Sequence, residues 1–166
     1  ESSESTEYSK WLIELLDVYL NDFTPPKIRF LDDIIKLRLG GQGIKEGLGQ
    51  ADYGIAIVET DGSIAKNDTL KSSFDGADRF KSIWSVHSDR LSEIFDTDEF
   101  KGYHELQRPT SVVCKSCEHF KICGGGMPLH RWKKGTGYDN PSVYCADQKS
   151  LINSINIRLK SEGLIN

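Results

Sequence analysis

The chain has 166 residues, with 21 basic and 25 acidic side chains and a net charge of -4. That length fits one domain, or one domain with a helical appendage, and permits a buried core without staples. No basic block stands out, which argues against nucleic acid, and no apolar run reaches the length of a membrane span. Hydrophobic residues make up 37%, so the core is expected to be thin and helped by a bound metal or cluster. The polar start Glu1-Ser2-Ser3-Glu4 is no signal peptide, which points to a reducing, cytoplasmic setting. The absence of an initial Met leads to the expectation of a fragment or a processed chain.

Tyr8 to Leu20 reads as a helix, because Trp11, Leu12, Leu15, Leu16 and Tyr19 recur at steps of three and four. Asn21-Asp22 and Pro25-Pro26 end it. A second helix is expected from Lys27 to Leu39, stopped by Gly40-Gly41. Gly40 to Gly49 carries five glycines but no Lys-Ser/Thr, so it reads as a linker and not a phosphate loop. Tyr53 to Val58 is a strand candidate, Asp61-Gly62 a hairpin turn, and Ser63 to Ala65 the returning strand. Ile83 to Val86 is a further extended piece. Ser88 to Phe95 reads as a helix capped by Ser88, and Asp98 to Gln107 as another short one. Ser111 to Gly137 is expected to be loop, shaped by whatever its cysteines bind. Asn140-Pro141 reads as the start of the last helix, with Leu151, Ile152, Ile155 and Leu159 inward and Gly163 at its end. Cys145 then falls in its second turn, where the helix dipole favours a thiolate.

The chemistry lies in four cysteines and no others: Cys114-x2-Cys117-x5-Cys123, followed by Gly124-Gly125-Gly126, and Cys145. In a reducing setting they bind metal more readily than they pair as disulfides. A thioredoxin-like site needs a βαβ unit, which the pattern does not supply. A zinc ribbon wants two Cys-x2-Cys knuckles, and here there is one; zinc still accepts four thiolates and stays open. An iron–sulfur cluster also stays open, since it needs close backbone approach that three glycines allow.

These cysteines, with Val58-Glu-Thr-Asp-Gly-Ser-Ile64, Asp68-Thr-Leu-Lys71, His130-Arg131 and Asp139-Asn-Pro-Ser-Val-Tyr-Cys-Ala-Asp147, resemble the SPASM auxiliary-cluster region of radical SAM enzymes. The wording is similar to FxsB-type maturases, a branch that cross-links aromatic rings in ribosomally made precursor peptides. The resemblance covers about residues 7 to 157. It implies an α+β fold of N-terminal helices, a small β-hairpin, Cys/Gly-rich cluster-binding loops and a C-terminal helix. Residues 1–45 correspond to the end of the radical SAM barrel and 46–166 to the auxiliary domain. The fuller family pattern has further cysteines where this chain has Asn67 and Met127, positions that belong to a first auxiliary cluster. The resemblance therefore implies one [4Fe–4S] cluster, on Cys114, Cys117, Cys123 and Cys145, with zinc as the alternative metal. The chain lacks the Cys-x3-Cys-x2-Cys triplet of a SAM-binding cluster. SAM would belong to a radical SAM domain in the rest of a longer enzyme or in a separate chain, and this chain alone would be inactive. The partners implied are that domain and a precursor peptide; no catalytic residue is assigned.

Other residues carry weaker signals. His130 and Arg131 suit a cluster or peptide contact, or a capping role. Asp139 and Asn140 suit helix capping, and Tyr144 and Asp147 a helix face or a cavity. His119 lies between ligand candidates, but four cysteines leave it no place. His87, His104, Trp84 and Trp132 read as packing or surface residues, with Trp132 beside the cluster loop. Gly54 to Val58 offers a possible sheet edge, with an internal hairpin favoured.

Overall fold

The computed structural model describes residues 6–51 and 54–166. Helices α1 (Glu7–Asn21), α2 (Arg29–Arg38) and the last helix, Cys145–Ser161, form a three-helix layer. Leu12 and Leu16 of α1, Leu31 and Ile34 of α2, and Leu151, Ile152 and Ile155 of the last helix close one core with Leu48. Each fully buried Leu or Ile contributes about 1.5–3 kcal/mol, so this periodic set suffices to hold the layer. Three polar contacts fix its angles: Arg158 on Asp17, Tyr19 on Asp32, and Arg38 Nε on Asn156 Oδ1 at 2.6 Å.

No side chain of its own caps α1. Asp147, buried on the last helix, does so from 138 residues away, its Oδ1 accepting the Ser9 N–H at 2.8 Å. Asp147 thus acts as a remote cap and, as expected, also reaches a cavity.

Residues 40–49 are not the linker their glycines suggested. Buried Asp33 accepts the N–H groups of Ile44 and Lys45 at 2.8 and 2.6 Å, and Gly49 N–H donates to Ile122 O at 2.8 Å. Gly47 and Gly49 serve close packing against the cysteine segment, whereas Gly40, at φ +82°, has open space around it.

The sheet is a two-stranded hairpin, β1 (Ile57–Val58) and β2 (Ile64–Ala65), with Ile57 opposite Ala65. The turn is where Asp61-Gly62 placed it, with Gly62 at φ +83° and Asp61 Oδ1 accepting the Ser63 N–H. The strand is shorter than expected, and Tyr53 lies outside the described residues. The extended piece at 83–86 runs beside β2: Ile64 N–H donates to Trp84 O, and Val86 N–H to Gly62 O, both at 2.9 Å. Trp84 covers one edge of the hairpin, as a packing residue.

A 3-10 turn, Asp68–Ser72, follows, capped by Asn67. Then come α3 (Leu91–Phe95) and α4 (Asp98–Glu105), the latter capped by Thr97. Ser88 is not the cap of α3. Its hydroxyl donates to Asp89, whose carboxylate also accepts the Ser85 N–H and closes a turn ahead of the helix. Ile64, Leu70, Phe80, Ile94, Phe100 and Tyr103 make a second core.

The cysteine segment is not loop throughout. It folds as three single-turn helices, α5 (Val112–Lys115), α6 (Phe120–Cys123) and α7 (Pro128–Arg131). The last helix, α8, begins at Cys145 and not at Pro141. Asn140 instead ties the preceding loop, its Nδ2 donating to Arg131 O and Gly137 O at 3.0 and 2.9 Å. Cys145 therefore lies in the first turn of α8, closer to the positive dipole end than expected. Among the described residues, no helix is long and apolar enough to cross a membrane.

Candidate metal centre

All four cysteines are free thiols: Cys114 on α5, Cys117 just beyond it, Cys123 at the end of α6 and Cys145 at the start of α8. They lie close enough to influence one another. Burial pushes the Cys123 thiol up to about 11, and Cys145, Cys114 and Cys117 add to the rise against the opposing Gly125 N–H. Burial also raises Cys114, with Cys145 and Cys117 reinforcing it and Arg131 opposing it. A thiol at about 11 is protonated at neutral pH, so Cys123 becomes a ligand only when a cation replaces its proton. Without one, Cys123 Sγ donates to Gln148 Oε1 at 2.7 Å. Sequence reading missed Gln148, although its position three residues after Cys145 puts both on one face of α8.

Gly124, Gly125 and Gly126 all adopt positive φ, at 62°, 84° and 73°. A Cβ on Gly125 would meet Pro109 at 2.5 Å. The Gly124 and Gly126 N–H groups donate to Phe120 O and Cys123 O at 2.8 and 3.3 Å, which leaves the Gly125 N–H to act on the Cys123 thiol.

Arg131 is the largest fully buried side chain, 1% exposed. Its Nη2 donates to Leu106 O at 2.6 Å and Gln107 O at 3.2 Å, linking α7 to the end of α4. Its Nε is buried with no hydrogen-bond partner among the described residues. Burial lowers its pKa, and Cys114 and Cys123 favour its charge. A guanidinium stays protonated in proteins, so a fixed positive charge faces two of the thiols.

The other sequence candidates divide. His130 packs edge-on against Tyr144, with ring centroids 5.0 Å apart, and burial followed by Lys45 lowers its pKa. His119 is buried and its Nε2 lies 3.8 Å from Glu118 Oε1. Asp139 accepts from Thr110 Oγ1 and Trp132 packs on Phe74, so both are structural. His87 sits over Gly62 and His104 beside Gly54. Asn67 donates through Nδ2 to both Glu46 oxygens at 3.0 Å, and Glu46 and Met127 line one cavity. Glu46 escaped the sequence reading because its partner lies 21 residues away.

Among the described residues, no group of three or more Cys, His, Asp or Glu side chains is arranged to hold a metal ion. Tetrahedral zinc would bring its four sulfurs to about 3.8 Å from one another. Four thiolates suit either zinc or an iron–sulfur cluster.

No family model matches the chain. It is 24% identical over 150 residues to the cysteine-type anaerobic sulfatase-maturating enzyme of Clostridium novyi (strain NT), covering 87% of this chain and 38% of the relative. The same enzyme of Clostridium perfringens (strain ATCC 13124) is 25% identical over 151 residues, covering 89% of this chain and 39% of the relative. Among solved structures, native anSMEcpe with bound AdoMet superposes at a TM-score of 0.76, with 23% identity, over 93% of this chain and 41% of that one. Native anSMEcpe with bound AdoMet and Kp18Cys peptide gives 0.73 and 24%, over 93% and 42%. The chain spans about two fifths of the length of the curated relatives it matches. It is homologous to part of the anaerobic sulfatase-maturating enzymes and shares the fold of radical SAM, SPASM-type enzymes.

Proposed function

We propose that the chain is the auxiliary iron–sulfur region of a radical SAM peptide maturase, with Cys114, Cys117, Cys123 and Cys145 holding one [4Fe–4S] cluster. One observation carries this reading: buried Arg131 lies near enough for Cys114 and Cys123 to favour its charge, and its Nε has no partner among the described residues. A cluster held by four thiolates is an anion, and a buried anion is stable only when countered. Arg131 and the Gly125 N–H supply that counterweight.

The cluster would supply one-electron exchange. The chain's own contribution is the enclosure. Four cysteines leave no open ligand position for substrate, which favours electron transfer or peptide positioning over direct substrate ligation. The lack of a Cys-x3-Cys-x2-Cys triplet places SAM cleavage outside these 166 residues, in a domain of the same enzyme or a separate chain. Residues 1–45 would correspond to the end of that barrel and 46–166 to the auxiliary domain. The relatives' names and the bound Kp18Cys peptide support a peptide substrate. The motifs similar to FxsB-type maturases support cross-linking of a ribosomally made precursor in the cytoplasm.

The test is metal analysis of protein purified without oxygen. Iron and acid-labile sulfide at about four each per chain are the expected result. About one zinc with no iron would replace this reading with a zinc-stabilised module that binds a peptide or partner without redox activity. Metal-free protein with oxidised cysteines would overturn the shared site altogether.

A further inference from the structure

Gln148, which accepts from Cys123, lines a cavity of about 570 Å³, of a size that suits a large side chain with its backbone. Aromatic rings wall it in sequence. Trp11 stacks on Tyr8 at 6.1 Å, Tyr8 meets Tyr144 at 5.5 Å, and Tyr144 meets His130 at 5.0 Å. Trp11 and Tyr8 are 57% and 46% exposed, so their rings are open to a ligand from solvent. Tyr144 directly precedes Cys145, so the cavity adjoins the proposed cluster.

A second cavity, about 630 Å³, shares Lys45, Glu46 and Met127 with the first. Its other charged walls are Lys27 and Arg29, exposed at the entry to α2. Across the two cavities the acids are Glu46, both of whose oxygens already accept from Asn67, and Asp147, which accepts the Ser9 N–H, against three bases. On a chain of net charge -4, this is a local reversal of sign. Charge complementarity selects an anionic ligand here, and the ring wall selects an aromatic one next to it.

We propose that the joined cavities bind an acidic peptide segment bearing an aromatic residue, its ring against Tyr8, Trp11 and Tyr144 and its carboxylates against Lys27, Arg29 and Lys45. This rests on the peptide-maturation reading in taking the ligand to be a peptide, and it adds that peptide's chemistry.

The probe is the unlabelled peptide Gly-Ser-Glu-Phe-Glu-Glu-Ser-Gly, titrated onto the full chain and followed by saturation-transfer-difference NMR. Saturation should be strongest on the Phe ring protons. Replacing Phe by Ala should weaken binding about fivefold, and replacing the three Glu by Lys about tenfold or more. The double variant Lys27→Glu/Arg29→Glu alters two exposed side chains. It should keep its iron content and melting temperature, yet lose about tenfold for the acidic peptide and gain for the basic one. Equal affinity for acidic and basic peptides, no binding at millimolar peptide, or an unchanged double variant would each overturn the proposal. Iron and sulfide content is read on the same samples. A chain that carries its cluster but ignores peptide charge defeats this proposal alone, whereas a chain without iron defeats the cluster reading.

Discussion

A Cβ placed on Gly124 would stand 2.1 Å from the carbonyl oxygen of Gly49. The two backbones meet where Gly49 N–H donates to Ile122 O, one residue before Cys123. The glycine segment after α2 is therefore the wall against which the third cysteine is set. Gly124→Ala combines a positive φ with a clash against backbone, which has no rotamer to escape into. We expect a loss of about 2–4 kcal/mol, seen as a melting temperature lower by about 5–12 °C, with iron content reduced by about half or more. Wild-type iron and melting temperature in this variant would show that the two segments are not held together as described.

Arg131 separates electrostatics from packing. Arg131→Met keeps length and removes charge; Arg131→Lys keeps charge and loses the fork that reaches Leu106 O and Gln107 O. One charge several ångströms from a redox centre, at an effective dielectric of about 20, shifts its potential on the order of 50–100 mV. Removing a positive charge disfavours the reduced, more negative state. The midpoint of Arg131→Met should therefore fall, while Arg131→Lys stays nearer wild type. Protein-film voltammetry reads this directly, and an unmoved midpoint in Arg131→Met would mean the guanidinium does not face a cluster.

Much of this architecture was legible in the chain. The helices α1, α2 and α8 announced themselves because Leu12, Leu16, Leu31, Ile34 and Leu151 to Leu159 follow the helical period and are buried on it. The hairpin followed from Asp61-Gly62. What periodicity could not show was long-range satisfaction of backbone groups. Ser88 and Asn140-Pro141 look like caps locally, yet Asp89 and the 131–137 loop claim them first. The N-terminus of α1 is satisfied by Asp147, from the far end of the chain. The site divides the same way. Its cysteines were readable from spacing, whereas Gln148, Glu46 and the burial of Arg131 depend on which surfaces meet.

Glu46 makes stability depend on pH in a stated direction. Burial raises its pKa, and Asn67 and Lys45 only partly oppose this. The folded chain then holds this proton to higher pH than the unfolded chain does. Stability contributed by the neutral acid is fully present below the unfolded carboxylate range and is lost as pH rises through the raised folded value. Glu46→Gln cannot ionise and still offers Asn67 an acceptor oxygen. Its melting temperature relative to wild type should rise as pH climbs from the ordinary carboxylate range through the raised folded value, and then level off. A difference that stays flat, or that shrinks as pH rises, would contradict the direction given for this carboxyl.

Cys145 is the ligand on which the shared site turns, since it alone comes from outside the 114–123 segment. It occupies the first position of α8, while Leu151, Ile152 and Ile155 anchor the same helix in the first core one turn and more away. That separation lets ligand loss be distinguished from unfolding. Cys145→Ala should keep its helical circular dichroism, because the buried turns of α8 do not involve the thiol. Its iron should drop to about half or less of wild type, because three thiolates leave one corner of a cubane unheld. The visible absorbance of whatever remains should change with it. If Cys145→Ala instead carries wild-type iron with an unchanged spectrum, the fourth ligand lies elsewhere and α8 does not close the site. If it loses iron and helicity together, metal binding and the packing of α8 are one cooperative step, and stability should then fall on chelation of the wild-type protein as well.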